Sequence, residues 1–122
     1  MIALVLILAT SLALTPAQAA FESAKATYRA DMATAGLAYQ QWQSDPEMAV
    51  VVEGAITAAI TDWEAIEVAP CFRDWWALRY VSLLGLVDTF ATLEGRAIAT
   101  PLGNASGYIA SLANAAEATV TC

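Results

Sequence analysis

Three prolines, at Asp45-Pro46-Glu47, Ala69-Pro70 and Thr100-Pro101, cut this 122-residue chain into stretches of helical pattern. Proline is favoured in the first turn of a helix, where its missing N–H would be orphaned anyway. Asp45 before Pro46 reads as an N-cap, and Glu47 as a first-turn acid suited to the helix dipole. Between these marks apolar residues recur every three or four positions. Phe21, Tyr28, Met32, Ala35, Tyr39 and Trp42 form one seam, with Lys25 filling a position. Ala49, Val52, Ile56, Ala59, Trp63 and Ile66 form a second, opposite a polar face of Glu53, Thr57, Thr61 and Glu64. Phe72, Trp76, Tyr80, Leu83, Val87 and Phe90 form a third. Its polar strip of Ser82, Gly85, Thr89, Thr92 and Arg96 is narrow, which marks this helix as the most buried. A fourth seam, Ile109, Leu112, Ala116 and Val120, is weaker, because Gly103 and Gly107 lower helix propensity near its start.

No run alternates apolar and polar residues, and no Asn-Gly or Asp-Gly hairpin turn occurs. The expected fold is therefore all-α, with helices at about 21–43, 46–68, 71–95 and 101–120. Short connections make consecutive helices antiparallel, giving an up-down-up-down four-helix bundle. In that topology the start of the third helix and the end of the fourth share one end of the bundle. Cys71 and Cys122, the two cysteines, fall at those places. A Cys71–Cys122 disulfide is expected, closing a loop of roughly 50 residues and stabilising the fold by about 4 kcal/mol in the chain-entropy model.

The first twenty residues differ from the rest. They carry no charged side chain, and all 5 basic and 12 acidic residues lie from Glu22 onward. Residues 2–14 are apolar apart from Thr10 and Ser11, and Ala17-Gln18-Ala19 has the small-x-small pattern of a leader cleavage site. The run is short for a membrane span, which needs about 20 residues. Residues 1–19 are read as a signal peptide, with Pro16 breaking the leader helix, cleavage after Ala19 and a single helical domain at 20–122. The n-region has no Lys or Arg; an uncleaved anchor is the alternative.

The net charge of −7 argues against nucleic acid and anionic lipid, since Lys25, Arg29, Arg73, Arg79 and Arg96 are scattered. Histidine is absent altogether. That excludes Ser-His and Cys-His nucleophilic pairs and histidine-ligated zinc or haem. Asp62, Glu64 and Glu67, with Asp74 across the turn, lack the Glu-x-x-His of di-metal bundles and read as solvated surface. No glycine-rich phosphate loop occurs, and Ser106 in Gly103-Asn104-Ala105-Ser106-Gly107 lacks the spacing of a nucleophile elbow. Asn104-Ala105-Ser106 matches the N-glycosylation sequon. Neither catalysis nor a cofactor is expected.

The densest chemistry is APCFRDWWALRY at 69–80. Phe72, Trp75 and Trp76 belong to the disulfide end, to which antiparallel packing also brings Phe21, Tyr28 and Trp63. One reading is a core layer of large side chains. The other is a binding surface of Trp63, Arg73, Trp75 and Trp76, because the adjacent tryptophans point about 100° apart on a helix. The functional expectation is a small exported interaction or structural protein of the cell envelope or exterior, with an unknown protein partner. A carrier of a small apolar ligand between alanine-rich helices is the second expectation, and a membrane-anchored accessory subunit with a retained leader the third.

Overall fold

The computed structural model of the chain describes residues 14–91 and 96–122. Helix α1 spans Pro16–Ser44, α2 Ala49–Glu64, α3 Arg73–Ala91 and α4 Arg96–Thr119. Single 3-10 turns, Pro46–Met48 and Pro70–Phe72, lead into α2 and α3. The chain is an all-α bundle, and among the described residues there is no strand. Successive helices pack pairwise, α1 on α2, α2 on α3 and α3 most extensively on α4.

Pro16 stands at the first position of α1, and the leader helix that the sequence reading has it break lies outside the described residues. Thr15 is the N-cap: its hydroxyl accepts from the Gln18 amide at 3.1 Å, and Gln18 Oε1 accepts from the Thr15 amide at 2.8 Å. This capping box satisfies two orphan donors and extends α1 upstream of the expected residue 21. Asp45 caps as expected, its carboxylate accepting from the Glu47 amide at 3.1 Å, although the element it starts is the 3-10 turn. The fourth helix begins at Arg96 rather than 101, so the expected loop at 96–100 is helical. Tertiary packing explains the difference. A helix docked along α3 gains enough from burial to carry one proline and two glycines inside it. The third helix is described as far as Ala91, and the last residues assigned to it, 92–95, lie outside the described residues. So does most of the segment read as a leader, 1–13.

Two aromatic layers close the bundle. At the disulfide end, Phe21, Phe72, Trp75 and Trp63 interlock, with Phe21–Trp75 centroids 5.1 Å apart at 87° and Trp63–Trp75 at 5.3 Å and 76°. Edge-to-face pairs of this kind contribute about 0.5–1.5 kcal/mol beyond area burial. At the far end Trp42 meets Phe90 at 5.5 Å and 87°, with Tyr39 beside both. Ala24, Ala35, Ala38, Val52, Ile56, Ala59, Leu83 and Ala113 fill the space between.

Candidate functional site

The structure sorts the four residues of the proposed aromatic surface into two groups. Trp63 and Trp75 are 1% exposed and belong to the core, so neither offers a face to a partner. Trp76 is half-buried and Arg73 exposed. The inward seam of α3 is thus Phe72, Trp75, Arg79, Ser82, Leu83 and Phe90, one residue off the expected line at Trp76 and Tyr80. Trp63 and Trp76 are tied across the α2–α3 turn by reciprocal bonds. The Trp63 indole N–H donates to the Trp76 carbonyl at 3.0 Å, and that of Trp76 to the Trp63 carbonyl at 3.1 Å. The Trp63 carbonyl lies in the last turn of α2, where it also accepts from the Ile66 amide at 3.2 Å in place of the regular helical bond. Trp76 therefore acts as a side-chain cap on α2.

Cys71 and Cys122 form the disulfide expected of them, with Cα atoms 5.3 Å apart. It is the first of three fastenings between α3 and α4. The second is Arg79, which the sequence showed only as one of five dispersed cations. Arg79 is 4% exposed. One terminal nitrogen of its guanidinium donates to Asn114 Oδ1 at 2.5 Å and lies 3.8 Å from Glu117 Oε1. The other donates weakly to the Tyr28 hydroxyl at 3.4 Å, and the guanidinium carbon stands 4.4 Å from the Tyr28 ring centre. One side chain so joins α1, α3 and α4. The charge is matched by Glu117 and the flat guanidinium by the ring face, as burial of an arginine requires. Arg79 Nε and Trp75 Nε1 are buried without a hydrogen-bond partner. Trp75 is in edge-to-face contact with Phe21 and Trp63.

The third fastening is Ser82 with Ser106, both 2% exposed. Ser106 Oγ donates to the Ser82 carbonyl at 2.7 Å, and Ser82 Oγ to the Ser106 carbonyl at 3.3 Å. A Cβ on Gly85 would stand 3.2 Å from Ser106 Cβ. The strip Ser82–Gly85 is therefore a close helix–helix contact and not a solvent face, which corrects the polar reading of that line. The sequon's Asn104 is exposed, while Ser106 is locked between the helices. The apolar residues that do face outward on α3 are Val81 (49%) and Leu84 (41%).

The acids are on the surface: Asp62, Glu64, Glu67 and Asp74 are all exposed. Asp62 has a partner that spacing did not reveal, Asp31 on α1. Partial burial, then a hydrogen bond to Asp62 and its charge, raise the Asp31 carboxyl from 3.8 to about 6. Partial burial and then neighbouring Glu64 likewise raise the Tyr80 phenol. An open groove of about 540 Å³ runs between the start of α1 and the end of α2, lined by Ala20, Ser23, Thr27, Asp62, Ile66 and Glu67 among others. Among the described residues no three His, Cys, Asp or Glu side chains group as a metal site. No described helix is long and apolar enough to cross a membrane. No family model matches the chain, and neither a curated protein nor a solved structure is similar to it.

Proposed function

We propose that the chain is exported, loses its leader after Ala19, and acts by binding as a small stapled bundle of the cell envelope or exterior. The Cys71–Cys122 disulfide carries this reading, because such bonds persist in oxidising compartments. Packing supports the processing point. The described hydrophobic core takes in Ala20 and Phe21, whereas Leu14, Thr15, Pro16 and Ala19 are exposed. Among the described residues, cleavage after Ala19 removes a helix cap and one turn, and none that is buried.

Binding through the surface fits this bundle better than carriage of an apolar ligand. The space between the helices is filled by Trp63, Trp75, Phe72 and Leu83, and the α1–α2 groove is open and carries Ser23, Thr27, Asp62 and Glu67. A carrier presents an enclosed, mostly apolar pocket. The lack of histidine, which removes the commonest acid–base group, favours binding over catalysis.

Expression with the native leader, followed by intact mass with and without reductant, tests export. The expected product starts at Ala20, and its thiols alkylate only after reduction. Retention of Met1 with freely alkylating thiols would refute the export reading and favour a retained anchor. Titration with a fatty acid and a sterol tests the mode of action. Any apolar ligand that enters the bundle must disturb Trp63 and Trp75, so saturable changes in tryptophan emission would replace surface binding with carriage.

A further inference from the structure

α4 is bound to the bundle differently from the other three helices. Every ring in the two aromatic layers belongs to α1, α2, α3 or the turn Pro70–Phe72. Among the described side chains of α4, the buried ones are Ser106 and Ala113, two small residues that remove little apolar surface from water. Tyr108 on the same helix is 67% exposed. The backbones come close at Gly85 and Ser106, but with little apolar area between them.

The part of α3 in contact with α4 includes Arg79, Ser82 and Gly85, all of which water can solvate. If α4 leaves, Arg79 keeps its stacking on Tyr28 of α1, and its Nε, now buried without a hydrogen-bond partner, gains water. Its partners on α4, Asn114 and Glu117, are already partly in solvent. The start of α4 follows α3 in the chain. Its other end is held covalently, by Cys122 just beyond Thr119, to Cys71 in the turn that leads into α3. We propose that the Cys71–Cys122 disulfide is a redox latch on α4. While it is closed the four helices open only together. When it is reduced α4 opens by itself as a tethered arm, and α1, α2 and α3 stay folded around their aromatic layers.

The reductant is an external dithiol. One of its thiolates attacks a sulfur of the pair, forming a mixed disulfide and releasing the other cysteine as a thiolate, and its second thiol then displaces the cysteine still bound. Two electrons pass to Cys71 and Cys122, each sulfur ends with a proton, and the dithiol becomes a disulfide. Both cysteines are half-buried, and the chain has no third cysteine with which the bond could reshuffle. The latch does not depend on where the leader is cut.

Native-state amide hydrogen exchange tests this on the disulfide-bonded protein, before and after reduction with excess dithiothreitol. In the oxidised protein the slowest amides of α4 are expected to exchange at the rate of the slowest in α2 and α3. After reduction those of α4 are expected to exchange at least about tenfold faster than those of α2 and α3, as a separately opening unit does. The double variant Cys71→Ser, Cys122→Ser should show the reduced pattern without reductant, and oxidised glutathione should return the reduced wild type to the oxidised pattern. A reduced protein in which α4 still exchanges together with α2 and α3 overturns the latch, because the bundle then opens as one unit whatever its redox state. Loss of protection throughout the reduced protein overturns it too, since the first three helices do not then stand without α4. An oxidised protein in which α4 already exchanges about tenfold faster overturns it from the other side, because the disulfide is then not what holds the helix.

Discussion

Arg79 allows packing and polar bonding to be separated by experiment. Consider Arg79→Ala first. It removes the buried stem beyond Cβ, about two methylenes at ~0.8 kcal/mol each, and leaves a cavity. It also removes the stacking on Tyr28, worth about 1 kcal/mol where the pair is partly desolvated. The expected loss is about 3 kcal/mol. Arg79→Met restores the stem and fills the volume. What it leaves behind decides its cost. Asn114 is exposed and the Glu117 side chain retains 29% of its accessibility, so both turn to water at little expense. No buried charge is orphaned, unlike the case in which breaking a buried pair costs about 3–5 kcal/mol. The desolvation of the guanidinium is relieved as well. Arg79→Met should therefore cost about 1 kcal/mol or less.

Urea unfolding under oxidising conditions measures both variants, with an unchanged slope as the check that two-state behaviour persists. In thermal melts the difference is large, since about 1 kcal/mol shifts a domain of this size by roughly 4–8 °C. If Arg79→Met costs as much as Arg79→Ala, stability resides in the bonds to Asn114, Glu117 and Tyr28, and the stem-packing argument is wrong. The 3.8 Å pair with Glu117 is separated by a double-mutant cycle with Glu117→Gln, expected to give a coupling below about 1 kcal/mol that shrinks in salt.

Three further outcomes follow from the geometry. Replacing both Cys71 and Cys122 by Ser should cost about 4 kcal/mol for a separation of 51 residues, with helical circular dichroism retained well below the lowered melting point; a loss under about 1 kcal/mol would show that Arg79 and Ser106 hold α4 unaided. Gly85→Ala should be near neutral, because the 3.2 Å approach to Ser106 Cβ offsets the gain in helix propensity, whereas Gly85→Leu should push α4 off α3 and cost more than about 2 kcal/mol by chemical denaturation. Asp31→Asn should raise the melting temperature at about pH 7.5 and have less effect at about pH 4. The sign follows from a folded-state carboxyl raised to about 6: the folded form binds the proton more tightly, so stability is highest below the unfolded value of 3.8 and falls as pH rises through about 6. Equal shifts at both pH values would remove Asp31 as the titrating group.

Periodicity located the helices and the pairing of Cys71 with Cys122, because both depend on chain order and on which ends meet. It was less able to place a residue on its helix to better than one position. In α3, Trp75 and Trp76 are equally apolar and about 100° apart, and both fit a repeat of three and four. What puts Trp75 inside is the ring stack of Phe21 and Trp63, contributed by α1 and α2. The same applies to α1, where Ala24 and Ala38 are buried and Tyr39 is 42% exposed. An aromatic attracts the eye in a sequence, but close helix approach needs alanine. The start of α4 was missed for a related reason, since Pro101, Gly103 and Gly107 are local breakers and the packing that overrides them is not local.

Arg79 shows how a polar residue could have been read inward. It stands four residues after Trp75 and four before Leu83, on the line that also includes Phe72 and Phe90. A charge in the middle of an apolar line is either an error of phase or a buried residue with assigned partners. Phase was open, because Tyr80 offered an apolar alternative next door. The partners, Asn114 and Glu117, are three apart on α4 and so share one face, where they read as ordinary surface polarity. Ser82 and Gly85 posed the same difficulty in reverse. Hydropathy scores them as a wet strip, although smallness is what lets Ser106 approach to hydrogen-bonding distance of the Ser82 carbonyl. Polarity and size are confounded in serine and glycine, and only the neighbouring helix separates them. In this chain the close α3–α4 approach at Ser82, Gly85 and Ser106 depends on that distinction, so the fold and its disulfide could be anticipated from the sequence while its two polar fastenings could not.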